Sequence, residues 1–562
     1  MRMYLEFVLC SVFGASVSAQ TQVLMHVGDA AGDQFGSALA ALDDIDGDGR
    51  TDLAIGAPLA DVTANNAGMA RVYSGRTLQV LHTWRGASAN ENLGCAIAAA
   101  GDVDGDGRGD VIVGASGAIG RAVVYSGATG LAVRTLVGGV GRAFGNAVAG
   151  NGLVDGDLVP DQLVGEPYQN IGGQYRGRVY VFSGANGALL RTHDGVLDYG
   201  TSGWSVAFLG DVNGDGRDEY VVGAPAAQNN FVQPRVTAFD GASGVELWTH
   251  NATSLSDEFG WALAPISDVS GDGKRDLLVG AMQDAGIGCA CSGWGFVRAL
   301  NGVNGAQLYQ VSNTSGLYTG FGWAVSAVGD LNANGFEDFA ASRPGSEGCG
   351  GSGAHEVQLR DGQSGALISM ITPPAGSEGF GTALAFGDTN GDGLRDLVCA
   401  SPCTNSSGSF AGRVDAYTIV RAPTGYCVSE MNSLGCTPAI AGVGTPSATS
   451  ASVFEARAVN MLNNANGLLF YSFTPRQTPF QGGHMCVVAP IVRTALQNSG
   501  GHALPVVDCS GVFSIDFNAR IRSGADPLLV VGEEVFAQYW SRDPADASTT
   551  NLTGALAFYV NP

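Results

Sequence analysis

The chain has 562 residues, more than one hydrophobic core serves, so two or more domains are expected. It carries 85 glycines, with hydrophobic residues at 45% and charged residues at only 14%; this excludes a disordered chain and fits a β-rich one full of tight turns. The 52 acidic and 28 basic residues leave a net charge of −24, which excludes nucleic acid and anionic membrane as electrostatic partners and suits a collector of divalent cations.

In chain order, residues 1–19 come first: Arg2, an apolar run broken by Glu6, and small residues ending at Ala19. They read as a secretory signal peptide cut before Gln20. No later apolar run reaches the length of a membrane span. The mature chain is therefore expected to be secreted, at the cell surface or in the periplasm. Of the 11 cysteines, Cys10 leaves with the leader, and the others suggest disulfides in an oxidising compartment.

The segment 44–52, "DIDGDGRTD", then returns as "DVDGDGRGD" (102–110), "DVNGDGRDE" (211–219), "DVSGDGKRD" (268–276), "DLNANGFED" (330–338) and "DTNGDGLRD" (388–396). A degenerate copy, "LVDGDLVPD", occupies 153–161. Spacings of 58, 51, 58, 57, 62 and 58 residues mark a repeat architecture. Before each copy stands Phe-Gly or a relative, from Phe35-Gly36 to Phe380-Gly381, followed by a strand of small residues. After it an apolar strand ends in "GAP" or similar, and a third strand turns through "SGATG" or "SGANG" into a fourth. Four antiparallel strands repeated seven times predict an all-β chain with a seven-bladed β-propeller over 20–425. The last repeat lacks its own fourth strand. The segment 21–27 resembles the fourth strand 78–84, so it is expected to close blade seven and remove a sheet edge.

Within each nine-residue loop, oxygen side chains stand at positions 1, 3, 5 and 9, and glycine usually at 6. Packed carboxylates repel, so each loop is either a solvated acidic turn or the shell of a cation; aligned repetition favours the cation. An all-oxygen set completed by the position 7 carbonyl suits calcium (Ca2+). The candidate ligands are Asp44, Asp46, Asp48, Arg50 and Asp52, then Asp102, Asp104, Asp106, Arg108 and Asp110. The fourth loop offers Asp211, Asn213, Asp215, Arg217 and Glu219, and the fifth Asp268, Ser270, Asp272, Lys274 and Asp276. The sixth offers Asp330, Asn332, Asn334, Phe336 and Asp338, and the seventh Asp388, Asn390, Asp392, Leu394 and Asp396. Position 7 contributes its carbonyl in each, and about five to six occupied sites are expected. The sixth loop, with two carboxylates, should bind more weakly. The third, with Leu153 at position 1 and Pro160 near its end, is left out of the set.

Phe-Gly, the DxDGDGxxD loop and Gly-Ala-Pro, in that order, resemble the FG-GAP repeats of integrin alpha-chain propellers over roughly 20–420. The resemblance implies a seven-bladed propeller with calcium between first and second strands, stiffening a hairpin and doing no chemistry. Such extracellular modules bind with affinities of about 10⁻⁴ to 10⁻³ M. "RGD" at 108–110 reads as part of a loop rather than as an adhesion ligand, because Asp110 is its ninth position.

Loops on the opposite face vary in length and carry Tyr168, Tyr175, Phe231, Trp294 and Phe410, candidates for stacking on a sugar or packing on a protein. Cys95 and Cys399 fall in strands as expected buried thiols, while Cys289, Cys291, Cys349 and Cys403 lie in neighbouring loops that two disulfides could staple. Residues 426–562 lack the repeat and show short strand-like runs, among them "GVFSIDFNA" and "LLVV", which predict a β-sandwich with Cys427–Cys436 and Cys486–Cys509 bridges. This part resembles uncharacterised domains that follow FG-GAP propellers in exported bacterial proteins. No nucleophile elbow, zinc-binding helix or phosphate loop occurs, so catalysis is the minor reading. Trp540, Arg542 and Asp543 could line a site, though a strand end explains them as well. The leading expectation is a calcium-stabilised binding or adhesion module with an extracellular protein or glycan as partner. The alternative is a carbohydrate-active protein, lectin-like or with a hydrolase or lyase in the C-terminal domain.

Overall fold

The computed structural model describes residues 21–117, 119–138, 143–226, 232–255, 257–282, 295–313, 320–332, 334–345, 355–389, 395–405, 408–419 and 423–561. The expected signal peptide lies outside them, as do Cys289, Cys291 and Cys349, Phe231 and Trp294, and Asn390, Asp392 and Leu394 of the seventh loop. Contacts divide the chain into two compact units, Gln20–Ile419 and Val420–Pro562.

The first unit contains seven four-stranded antiparallel sheets among the described residues. In the first, Ala38–Ala41, Leu53–Ala57, Met69–Tyr73 and Val80–Arg85 pair in succession. The first strands of successive sheets pack side by side, and the last, Leu384–Gly387, returns to Ala38–Ala41, so the ring closes as a β-propeller. Small residues in these inner strands suit the taper where blades converge. Second strands such as Leu53–Ala57 and Asp110–Ala115 are buried along their whole length, because neighbouring blades cover both faces. The N-terminal strand Thr21–Val27 pairs with Arg413–Thr418 and supplies the outer strand of the last sheet.

The glycines of the repeat explain themselves sterically. Gly94 has φ of +89°, where an L side chain is strained, and a Cβ on Gly56 would meet the Gly94 carbonyl oxygen at 2.0 Å. The Gly-Ala-Pro glycine of one blade thus packs on the Phe-Gly glycine of the next. The same approach recurs for Gly114 on Gly145 and Gly165 on Gly203.

The second unit is a β-sandwich. Its six-stranded sheet includes Asn466–Ser472, Glu534–Arg542 and Thr550–Tyr559; its three-stranded sheet contains Ala439–Val443, Glu455–Met461 and Gly511–Asp516. Phe454, Ala456 and Met461 pack on Leu469, Tyr539 and Phe558 between them. Two expectations are corrected here. The run "GVFSIDFNA" stays extended only to Asp516, whose side chain then caps the helix Phe517–Arg522 by accepting the Ala519 N–H. The run "LLVV" forms no strand: it is a turn segment in which Leu529 alone is buried and Leu528 and Val530 face solvent.

The disulfides of this unit are also corrected: Cys427 joins Cys486 and Cys436 joins Cys509. Pairing by nearness in sequence fails because Thr424–Tyr426 is drawn onto the Thr550–Tyr559 strand. There the Tyr426 hydroxyl donates to the Cys486 carbonyl at 2.6 Å, bringing Cys427 beside that strand. In the propeller Cys403 is disulfide-bonded, Cys399 is a buried thiol, and Cys95 is free but only half-buried.

Candidate functional site

Each acidic loop leaves its inner strand and enters the buried second strand, and the ninth position fastens it there. The Asp52 carboxylate accepts from the Ile45 N–H and from the Gly75 N–H of the next turn, both at 2.9 Å. Asp110, Asp161, Glu219, Asp276 and Asp338 repeat this pin on the second loop residue and the following turn. In the last blade Asp396 accepts from the Thr389 N–H and the Thr418 hydroxyl. Burial pushes Asp52, Asp110, Asp161 and Asp338 up to about 6, against the pull of those N–H groups.

Position 1 shapes the loop. Asp44 accepts from the N–H groups of Gly47, Asp48 and Gly49, folding the chain around its own carboxylate. Burial opposes the ionisation of Asp44, but these bonds outweigh it and lower its pKa. The turn needs left-handed backbone at Gly47 and Gly49, with φ of +81° and +85°.

The carboxylates converge. Ligand oxygens lie within 4.8 Å of one another in Asp44, Asp46 and Asp48, and in Asp102, Asp104 and Asp110. The third loop, left out on sequence grounds, brings Asp155, Asp157 and Asp161 together in the same way. It departs from the pattern at position 1, Leu153, and at position 6, where Leu158 replaces glycine and takes φ of +76°. In the fourth loop Asp215 and Glu219 are joined by Asp240, which opens the turn between third and fourth strands. Such an oxygen-only donor set fits a hard cation. The fifth and sixth loops form no cluster of three carboxylates among the described residues. Of the seventh, Asp388 and Asp396 are described.

Asp240 exposes a signal the loop motif alone does not carry. Where position 3 is aspartate, as at Asp46, Asp104 and Asp155, the turn residue is Ser74, Ser126 or Ser183. Where position 3 is Asn213, Ser270 or Asn332, the turn residue is Asp240, Asn301 or Asp361. Contacts follow the exchange. Asn213 donates to Asp240 at 2.7 Å and Asn332 to Asp361 at 2.7 Å, while Asn301 donates to Ser270 at 3.1 Å. In the fourth loop the Asp240 carboxylate thereby takes the place in the cluster that an aspartate at position 3 fills elsewhere.

Position 7 does more than offer a carbonyl. Arg50 reaches Asp388 of the seventh loop at 2.8 Å, Arg108 donates to the Ile45 carbonyl at 2.7 Å, and Lys274 donates to the Asp211 carbonyl at 2.6 Å. Each cation clasps the loop of the preceding blade and offsets charge there.

The opposite ends of the inner strands carry aromatic rings. Trp204, Trp261 and Trp323 follow the Phe-Gly position in three consecutive blades, with centroids 4.6 and 5.2 Å apart. The row continues through Tyr168, 6.2 Å from Trp204, to Tyr175 at 6.4 Å and Tyr199 at 6.3 Å. Tyr175 and Tyr199 are exposed, and the other four are partly so. Tyr168 and Tyr175 were legible as loop aromatics. The tryptophans are not legible as a surface from the sequence, because each follows a motif glycine within its own repeat and only the ring of blades brings the three together. Phe410 is exposed but stands outside this row.

The FG-GAP repeat family matches residues 35–73, 96–129, 202–233, 259–288 and 380–417. Integrin alpha-V of Gallus gallus is 28% identical over 194 residues, 33% of this chain and 18% of the integrin. Human integrin alpha-IIb is 32% identical over 211 residues, 35% of this chain and 19% of the integrin. Integrin alpha-PS2 of Drosophila melanogaster is 31% identical over 231 residues, 36% and 16% respectively. The matches thus span less than a fifth of each of these integrin chains. With five matched repeats on a closed ring of four-stranded sheets, the chain is an integrin alpha-like FG-GAP repeat β-propeller protein.

Proposed function

We propose that this protein is an exported binding or adhesion protein that takes an extracellular protein or glycan on the aromatic end of its propeller, with calcium in the acidic loops bracing the other end. The observation that carries the reading is the row of six neighbouring rings from Tyr199 to Trp323, in edge-on and tilted contact and all at least partly exposed. Such rings offer large contact area at low entropic cost, for a sugar face or a protein side chain. The likeness to integrin alpha chains supports an extracellular binding role, and the C-terminal disulfides suit that compartment. Among the described residues no helix is long and apolar enough to cross a membrane. Calcium is supported by the second loop, where Asp102 and Asp104 pack beside Asp110 with no ion pair to any of them among the described residues. Residues 1–19 act as the export signal in this reading.

The test is binding of the purified protein to glycan and extracellular-protein panels, in calcium and in chelator, with folding monitored alongside. A ligand that Trp261→Ala and Trp204→Ala weaken on a folded propeller supports the reading. A ligand that both variants hold as tightly as the parent rejects it.

A further inference from the structure

The sandwich unit holds a cleft of about 300 Å³ over its six-stranded sheet. Its floor is a row of apolar side chains on three adjacent strands: Leu468 pairs with Trp540, and Trp540 with Leu552. Directly paired residues project to one face of a sheet, so the three lie abreast. One step along, Phe470 extends the floor, and its partner on the edge strand is Arg493, which places that guanidinium stem on the same face. The hairpin formed by Pro475–Phe480 and Gly483–Val487 walls the cleft with Phe480, Gln481 and Met485.

The wall is built, not draped. Buried Gln538 donates to the His484 carbonyl at 2.8 Å and the Thr553 carbonyl at 2.7 Å, and accepts the Cys486 N–H at 3.1 Å. The Cys427–Cys486 disulfide ties the same strand to the chain beyond it. A preformed apolar cleft with a few placed polar groups is the usual form of a small-molecule site. Here the polar groups are Gln481 and Arg493, and among the described residues no carboxylate pairs with Arg493. An arginine left without an acid, in a chain with net charge −24, selects an anion.

We infer that this cleft binds a free amphipathic monocarboxylate, its apolar body on Leu468, Phe470 and Trp540 and its carboxylate on Arg493. A neutral apolar molecule would use only the floor of this arrangement.

Calorimetric titration of the full chain with decanoate, 1-decanol and decyltrimethylammonium tests it. Decanoate should bind at least about tenfold more tightly than the other two, the scale of one charge-assisted contact. Arg493→Gln, at an exposed edge, should bring decanoate down to the level of decanol with no change in melting temperature. Leu468→Trp should abolish binding by filling the floor. Should that variant misfold, Phe480→Ser at the exposed hairpin tip should weaken binding on an intact sheet. No decanoate binding, equal affinity for the three heads, or an unaffected Arg493→Gln variant would overturn the assignment.

Discussion

At one end of the inner strands this propeller repeats itself, and at the other it does not. The acidic end has Asp52, Asp110, Asp161, Glu219, Asp276, Asp338 and Asp396 at one structural position, each accepting from its loop. At the far end, the residue after the Phe-Gly glycine is Ser37, Cys95, Asn146, Trp204, Trp261, Trp323 or Thr382. A hairpin needs the first chemistry in order to form, wherever it stands in the ring. It does not need the second, which is free to differ and has gathered rings in three consecutive blades. Sameness across repeats marks scaffold, and clustered difference marks the surface on which selection for binding can act.

The largest effect should come from breaking a pin. Asp110→Ala leaves the Val103 and Gly127 N–H groups buried without their acceptor and should cost about 3 kcal/mol in urea unfolding. Asp106→Ala in the same loop, at an exposed position, should cost under about 1 kcal/mol in metal-free buffer. Equal losses would mean that the ninth position has no special standing. Calcium removal should follow in size. A ligand at a hundred times its dissociation constant stabilises by about 2.7 kcal/mol, so chelation should lower the melting temperature and added calcium restore it. A melting temperature indifferent to both would reduce the loops to turns. At the aromatic end, Trp261→Ala should weaken ligand binding about tenfold while calcium affinity stays unchanged. A loss of calcium affinity instead would erase the distinction between the two ends.

Much of this was legible because repetition turns one sequence into its own alignment. The 58-residue spacing between Asp44 and Asp102 located the blades, and the missing fourth strand of the last repeat located the crossover of Thr21–Val27. What escaped involves residues that meet only in space. Asp240 lies 27 residues beyond Asn213, and their contact depends on how the third strand turns. The pairing of Cys427 with Cys486 follows from where Tyr426 docks, which no spacing reveals. In the third loop Leu153 removes the position 1 donor, yet Asp155, Asp157 and Asp161 still converge, because position 1 is one donor among several.

A last prediction separates the body of the propeller from its acidic end by the sign of its pH dependence. His193, in the outer strand Leu189–Asp194, stacks on Phe239 at 4.0 Å and meets the Tyr220 hydroxyl at 2.6 Å. Burial, with the nearby Arg191 charge, lowers its pKa from 6.5 to about 4. Its neutral ring therefore favours the fold fully above pH 6.5, and that contribution is lost as pH falls toward 4. Asp52 and Asp110 run the other way: burial raises them from 3.8 to about 6, so without calcium their contribution is full below pH 3.8 and is lost as pH rises through 6. Urea unfolding of the parent and His193→Gln in chelator, at pH 7.5 and 4.5, isolates the histidine. The stability advantage of the parent should shrink at the lower pH, because only the parent has a ring to protonate on unfolding. An advantage that holds constant would show that His193 acts by packing on Phe239 alone.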